Sequence, residues 1–366
     1  MPRLFTPLKV GRMALQHRIA MAPMTRLRAD SSHVPLPSVK EYYQQRAVIP
    51  GTLLVTEATV ISRRHGGYPN VPGIYTDQQI AAWKDVTKAV HEKGSYIYLQ
   101  LWALGRAANP AFLQQQGLPL VSSSDVPMKS AFSEELHRPT PLTAEGIQDA
   151  ITDFSTAAEH AIEAGFDGVE IHGANGYLVD QFLQDVSNKR TDAWGGGDIE
   201  RRNKFAVQVT RAVVEAIGQD RTAIRLSPWS RYQGMRMAEP IPQFRALVEK
   251  LADLRLAYLH VCESDAQADD GHLGWLLDAY RNAGPVVVAG NYDGDSAVKA
   301  LEAQYKDHDV AVAFGRPFIG NPDLAFRVTQ GIPFASHDPT TMYAQTSEGY
   351  TDYKYSEEFE AVTASA

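Results

Sequence analysis

The chain has one cysteine, Cys262, among its 366 residues. That excludes an intrachain disulfide and a thiolate zinc cluster. Cys262 falls in an apolar run and is expected to be inert core. Basic residues are not in excess: 35 Lys and Arg face 43 Asp and Glu, a net charge of -8. With no basic stripe either, a nucleic-acid partner is not expected. Long apolar runs are missing as well. Those present, such as Val286–Gly290, are strand-sized and cannot span a bilayer. The start, Met1-Pro2-Arg3-Leu4-Phe5, lacks the apolar stretch of a secretory signal. No repeat of solenoid period occurs, and no Pro-rich or Gly/Ser-rich linker divides the chain. A composition of 44% hydrophobic and 21% charged residues then points to a cytoplasmic globular protein, residues 1–366 forming one domain.

Strand-like runs alternate with helical patterns. Eight strands are read: His17–Met24, Thr52–Val60, Tyr96–Trp102, Gly168–His172, Ala223–Ser227, Ala257–Cys262, Val286–Ala289 and Val310–Phe314. Thr76-Asp77 opens a helix with Ile80, Trp83, Val86 and Val90 on one face, ended by Gly94. Thr143 opens another that ends at Gly165, and Asp198 or a neighbour caps a third. Gln243–Leu254 and Ser296–Tyr305 read as two more. Eight strand–helix units with strands apolar on both faces predict a closed, parallel (β/α)8 TIM barrel. Leu4–Gln16 is expected to form a hairpin under the barrel. Residues 103–141, with five prolines, are expected to be a long irregular loop on the active-site side. That loop and Glu263–Trp275 are expected to shape the substrate space. The tail, 356–366, is expected to fray.

In a barrel, side chains at the C-terminal ends of the strands converge on one site. The fourth strand ends in His172, followed by Asn175 and Tyr177. His172 and Asn175 can both donate to one oxygen, which would stabilise an enolate, and Tyr177 supplies a phenolic proton donor. The plainer reading is that His172 satisfies a backbone group and Tyr177 packs. Arg225 sits in an apolar strand. It requires an anionic partner: either an internal carboxylate, Glu57 or Glu170, or a cofactor that becomes anionic in turnover, such as reduced flavin. Gly290 and Gly315-Arg316 end the last two strands, where barrels often hold phosphate, although a Gly-Arg pair can also be a plain turn. No His-Glu-x-x-His, Gly-x-Ser-x-Gly or Gly-x-Gly-x-x-Gly pattern occurs. A barrel glycosidase would need Glu57 and Glu170 to face one cleft.

In this order, Ala22-Pro23-Met24-Thr25-Arg26, Gln100-Leu101-Trp102, Gly168 to Phe182, Arg225-Leu226-Ser227-Pro228, Ala289-Gly290-Asn291, Gly315-Arg316 with Asn321-Pro322-Asp323-Leu324, and Gly349-Tyr350-Thr351-Asp352-Tyr353 resemble the Old Yellow Enzyme family of FMN-dependent ene-reductases, its fungal members in particular. The resemblance runs from about Leu4 to Tyr353. It departs from the family pattern at Ala58, where a glycine is usual, and at Trp194–Arg202, which is one residue longer.

The resemblance implies noncovalent FMN, reduced by NADPH. Pro23, Met24, Thr25, Ala58 and Gln100 would line the flavin ring, and Arg225 would meet its pyrimidine edge. Gly290, Asn291, Gly315 and Arg316 would hold its phosphate. His172 and Asn175 would grip the substrate oxygen, Tyr177 would protonate the α-carbon, and Trp102 and Tyr343 would shape the pocket. The implied substrate is a small activated alkene: an enone, enal or nitroalkene. Redox-neutral alkene isomerisation in a fungal natural-product pathway and a non-catalytic flavin- or steroid-binding barrel stand as alternatives. Monomer and homodimer are both open.

Overall fold

The computed structural model describes residues 1–130, 133–263 and 273–365. Most of the Glu263–Trp275 segment therefore lies outside the described residues. Eight parallel strands form the barrel: β1 (Ile19–Met21), β2 (Leu53–Val55), β3 (Tyr96–Trp102), β4 (Gly168–Gly173), β5 (Thr222–Leu226), β6 (Tyr258–Cys262), β7 (Val286–Ala289) and β8 (Val310–Phe314). They pair in sequence order. β8 pairs with β1, and β3 with β4, so the sheet closes. The expected (β/α)8 barrel is the observed one.

The two-residue period of the strands sorts their side chains. Ile97, Leu99, Ile171, Ile224, Val261, Val288 and Val312 point outward into the main core, against the helices. These helices are α1 (Pro37–Arg46), α2 (Asp77–His91), α3 (Ala144–Glu163), α4 (Ile199–Ile217), α5 (Pro240–Ala252), α6 (Gly274–Tyr280), α7 (Gly294–Lys299) and α8 (Leu324–Gln330). Their starts follow local chemistry. Thr76 and Gln79 close a capping box on α2, Thr143 caps α3, and Asp198 caps α4. The sequence reading missed α1 because its buried side chains, Val39, Tyr42, Tyr43 and Arg46, include an arginine and two tyrosines rather than an aliphatic stripe.

Inward-pointing residues stack in layers. At the bottom, the hairpin Leu8–Val10/Met13–Leu15 forms as expected. It plugs the barrel with Leu8, Val10, Met13 and Leu15 against Leu53, Ala223, Val287 and Ala311. Two expectations change. Residues 103–141 are not irregular: they hold a helix, Pro110–Gln115, and a short hairpin, Met128–Ser130 with Ser133–His137. The tail forms a further helix, α9 (Glu357–Ala364). Ser356 caps it and also bonds the buried Asp323 carboxylate, which anchors a segment that its small residues alone would leave loose. Among the described residues, no helix is long and apolar enough to cross a membrane.

Candidate active site

A cavity of about 1050 Å³ opens above the C-terminal ends of the strands. Ala22, Pro23 and Met24 line it after β1, Arg225 on β5 with Trp229 beyond that strand, and Gly290 and Asn291 after β7. Gly315 and Arg316 close it after β8, with Tyr343 at the mouth and Asn175 opening onto it. Thr25, Ala58, Gln100, Trp102, His172 and Tyr177 are not among the residues that line it. No described residue of 103–141 lines the cavity. Cys262 corrects the sequence reading: it ends β6 and faces the cavity instead of the core, with burial pushing its thiol pKa up.

The layer just below is polar. The buried Glu170 carboxylate accepts from Gln100 Nε2 at 2.8 Å, Tyr258 Oη at 3.0 Å and His260 Nδ1 at 2.8 Å. Burial alone would raise its pKa. The charges of His260 and Arg225 and these hydrogen bonds outweigh burial and hold it below the usual carboxylate range. Glu170 is therefore structural. Sequence reasoning missed His260, although its place inside an apolar strand is the same signal that singled out Arg225.

Arg225 pairs in register with His172 on one side and His260 on the other. Its Nε is buried without a hydrogen-bond partner, and it makes no ion pair among the described residues. Neither Glu57 nor Glu170 serves as its salt-bridge partner. Burial and the nearby Arg225 charge push the His172 imidazole down to about 3, so it is neutral at ordinary pH. Its Nδ1 also lacks a partner. The plainer reading of His172, a ring satisfying a backbone group, thus finds no bond at Nδ1.

After β4 the chain turns sharply. Asn175 (φ +58°) and Gly176 (φ +76°) are left-handed, a conformation that asparagine and glycine tolerate best. Ser227 Oγ accepts from the Asn175 N–H at 2.8 Å, and the buried Asp180 accepts from the Gly176 N–H at 2.9 Å. This turn sets the Tyr177 ring 4.7 Å from that of His172 and 4.9 Å from that of Trp102, edge to face in both cases. Trp102 in turn meets Tyr68 at 5.3 Å. Burial, with the phenols of Tyr68 and Tyr232, raises the Tyr177 pKa well above its ordinary value and keeps the phenol protonated.

Glu57 lies under the β1 loop. It accepts from the Arg26 N–H at 3.0 Å and the Leu27 N–H at 3.3 Å. Neither Glu57 nor Glu170 lines the cavity, so the two do not flank it as a glycosidase pair would. Burial raises the Glu57 pKa from 4.5 to about 7. A folded-state value above the unfolded one stabilises the fold fully only below 4.5, and that contribution is lost as the pH rises through 7. Glu57→Gln should therefore remove about 2–3 kcal/mol of the stability difference between pH 5 and pH 8. Unfolding at the two pH values measures this; parallel pH dependence in variant and wild type would contradict it. Arg26 and Arg28, also buried, hold the segment 341–349 through its carbonyls, including Met342 O and Gly349 O, and so place Tyr343. Among the described residues, no three His, Cys, Asp or Glu side chains gather as a metal site.

The profile of the NADH:flavin oxidoreductase / NADH oxidase family matches residues 3–334. A chanoclavine-I aldehyde reductase of Penicillium roqueforti is 57% identical, with all of both chains covered. A probable inactive reductase of Epichloe festucae var. lolii is 49% identical over 97% of this chain and 96% of the relative. The solved structure of the old yellow enzyme from Trypanosoma cruzi superposes with a TM-score of 0.90 at 36% identity, covering 96% of this chain and 98% of that one. With the family matched over nearly the whole barrel, and the barrel shared with a solved old yellow enzyme, this chain belongs to the NADH:flavin oxidoreductase / NADH oxidase family.

Proposed function

We propose that the protein is an NADPH-dependent ene-reductase that reduces the C=C bond of activated alkenes. One observation carries this reading: a neutral imidazole and a protonated phenol, 4.7 Å apart between ring centres, stand at the end of β4 beside Asn175, which opens onto the cavity.

The residues present suit FMN. The cavity matches the upper end of ligand-binding clefts, roughly 300–1,000 Å³. The orphaned Arg225 Nε offers a cation to the pyrimidine edge. At Gly315 nothing lies nearer than 3.8 Å to where a Cβ would stand, so backbone is open to a close approach by phosphate. Gly290, Asn291 and Arg316 complete that cradle. Pro23 and Met24 would line the ring from the cavity wall, and Thr25, Ala58 and Gln100 would complete its surround. Bound there, FMN would supply the hydride-transfer chemistry, with NADPH as the reductant and the substrate β-carbon as the acceptor.

The chain's own residues do the rest. His172 and Asn175 donate hydrogen bonds to the substrate oxygen and take up the negative charge that develops on it. A neutral His172 suits this role, because it donates without giving up its proton. Tyr177 delivers the proton to the α-carbon. Trp102 fixes the Tyr177 ring, and Tyr343 limits the cavity mouth. Because NADPH and alkene would use one pocket in turn, ping-pong kinetics are expected. The 57% relative directs the substrate search toward unsaturated aldehydes of natural-product size, chanoclavine-I aldehyde first. A redox-neutral isomerase would not need a proton donor, and the presence of Tyr177 favours net reduction.

The visible spectrum of the purified protein without oxygen tests the reading. A flavin spectrum should bleach with NADPH and return on adding cyclohexenone. A colourless protein that FMN cannot reconstitute would overturn it. A flavin that bleaches but does not return with any enone or enal would favour the non-catalytic alternative.

A further inference from the structure

The loop after β5 is strained in a specific place. Gln233 (φ +57°), Gly234 (φ +67°) and Arg236 (φ +75°) are all left-handed, and two of the three carry side chains. Such residues persist only where their surroundings fix them. Here a relay of side chains does so. Gln184 Oε1 accepts from the N–H groups of Arg236 and Met237 at 2.9 and 3.0 Å. Gln184 Nε2 donates to Asp180 Oδ1 at 2.8 Å, and Asp180 Oδ2 accepts from the Gly176 N–H. The relay staples the β5 loop to the turn that carries Asn175 and Tyr177. The two segments touch at Gly176, where a Cβ would stand 2.8 Å from Gln233 Cβ and 2.9 Å from Met235 Cγ. From the far side, Arg106 Nη2 donates to the Gln233 carbonyl at 3.4 Å.

This construction brings Gln233 against the turn that carries Tyr177, and its carboxamide is among the groups that favour the ionised form of that phenol. Yet Gln233 Nε2 and Oε1 are both buried and complete no hydrogen bond. Buried polar side-chain atoms are nearly always paired, so an orphaned carboxamide next to a proton donor marks a partner that forms only in turnover.

We infer that Gln233 is a positioning residue for proton transfer: its Nε2–H donates to the Tyr177 oxygen as the phenol gives up its proton. This rests on Tyr177 being the donor. The Tyr177 O–H bond breaks. The proton joins the substrate α-carbon, and the electron pair of the enolate forms the new C–H bond. The electron pair left on the phenolate oxygen is stabilised by Gln233 until water reprotonates it. Burial and the neighbouring phenols of Tyr68, Tyr232 and Tyr343 oppose that charge, so the donor acts where it is needed.

The test uses Gln233→Met, which keeps the length and loses the donor, and Gln233→Glu, which replaces the donor with an acceptor. Each is made alone and with Tyr177→Phe in the FMN-loaded enzyme. Either single change should slow alkene reduction about 10–100-fold and leave flavin reduction by NADPH unchanged. In the Tyr177→Phe background neither should slow it further. A second readout is independent of turnover. Ultraviolet difference titration of each protein against its Tyr177→Phe counterpart isolates the Tyr177 phenol, which should titrate at higher pH in Gln233→Met. Slowing that persists undiminished in the Tyr177→Phe background, or a Gln233→Met variant that reacts and titrates like the wild type, would overturn the inference while leaving Tyr177 as donor. If Tyr177→Phe alone reduces alkenes at the wild-type rate, the donor assignment fails first and this inference with it.

Discussion

Replacing Tyr177 with phenylalanine slows alkene reduction by about 10²–10⁴-fold and leaves flavin reduction by NADPH nearly unchanged. The ring itself is retained, so its edge-to-face contacts with His172 and Trp102 survive and the pocket keeps its shape. Only the phenolic proton is lost. Its pKa, raised by burial, makes Tyr177 a poor acid at rest. It becomes competent only when charge has developed on the substrate, which ties proton delivery to hydride arrival. Stopped-flow spectroscopy resolves the two half-reactions. Equal slowing of both would mean that the substitution disturbs the flavin site, and the donor role would be refuted.

Replacing His172 with alanine weakens binding of a phenol ligand and slows alkene reduction by about 10²–10³-fold, the usual loss when one donor to a developing oxyanion is removed. The imidazole is buried beside Arg225, and both effects hold it neutral down to a pH of about 3. Two consequences follow from the sign of that shift. Between pH 5 and 8 the affinity profile should report the ligand's own ionisation, with no inflection from His172. In acid, the unfolded state takes up its proton near pH 6.5 while the folded state resists until about 3, so this site loses stability as the pH falls across that range. Titration of a phenol against the flavin spectrum in wild type and variant measures the first effect. Unchanged affinity in the variant would remove His172 from the oxygen-binding pair.

The two variants also separate the alternatives. A binding-only barrel would lose affinity with His172→Ala but show no chemistry for Tyr177→Phe to slow. An isomerase would reduce and reoxidise its alkene without net consumption of NADPH. The stapled loop after β5 adds a further control, since Gln233 is inferred to act on the donor and not on the oxygen-binding pair.

The sequence by itself determined the barrel, because eight β-rich runs separated by capped amphipathic helices leave few other ways to bury both faces of every strand. It also determined the addresses of His172, Asn175, Tyr177 and Arg225, since strand ends in a barrel share one rim and polar residues in apolar strands stand out. Only the tertiary structure decided who pairs with whom. Glu170 and Glu57 looked alike as strand carboxylates. Register then gave Glu170 three donors from two other strands, and it placed Glu57 under the β1 loop. Cys262 looked like core until alternation with the outward Leu259 and Val261 put it on the inward face, at the cavity end of β6. Gln233 carried no sequence signal at all. Its importance arises from backbone strain and from contacts across more than 50 residues of chain, such as that of Arg236 with Gln184. Periodicity and composition record which residues are buried. They do not record long-range partners, because those are set by how strands and loops distant in sequence close upon one another.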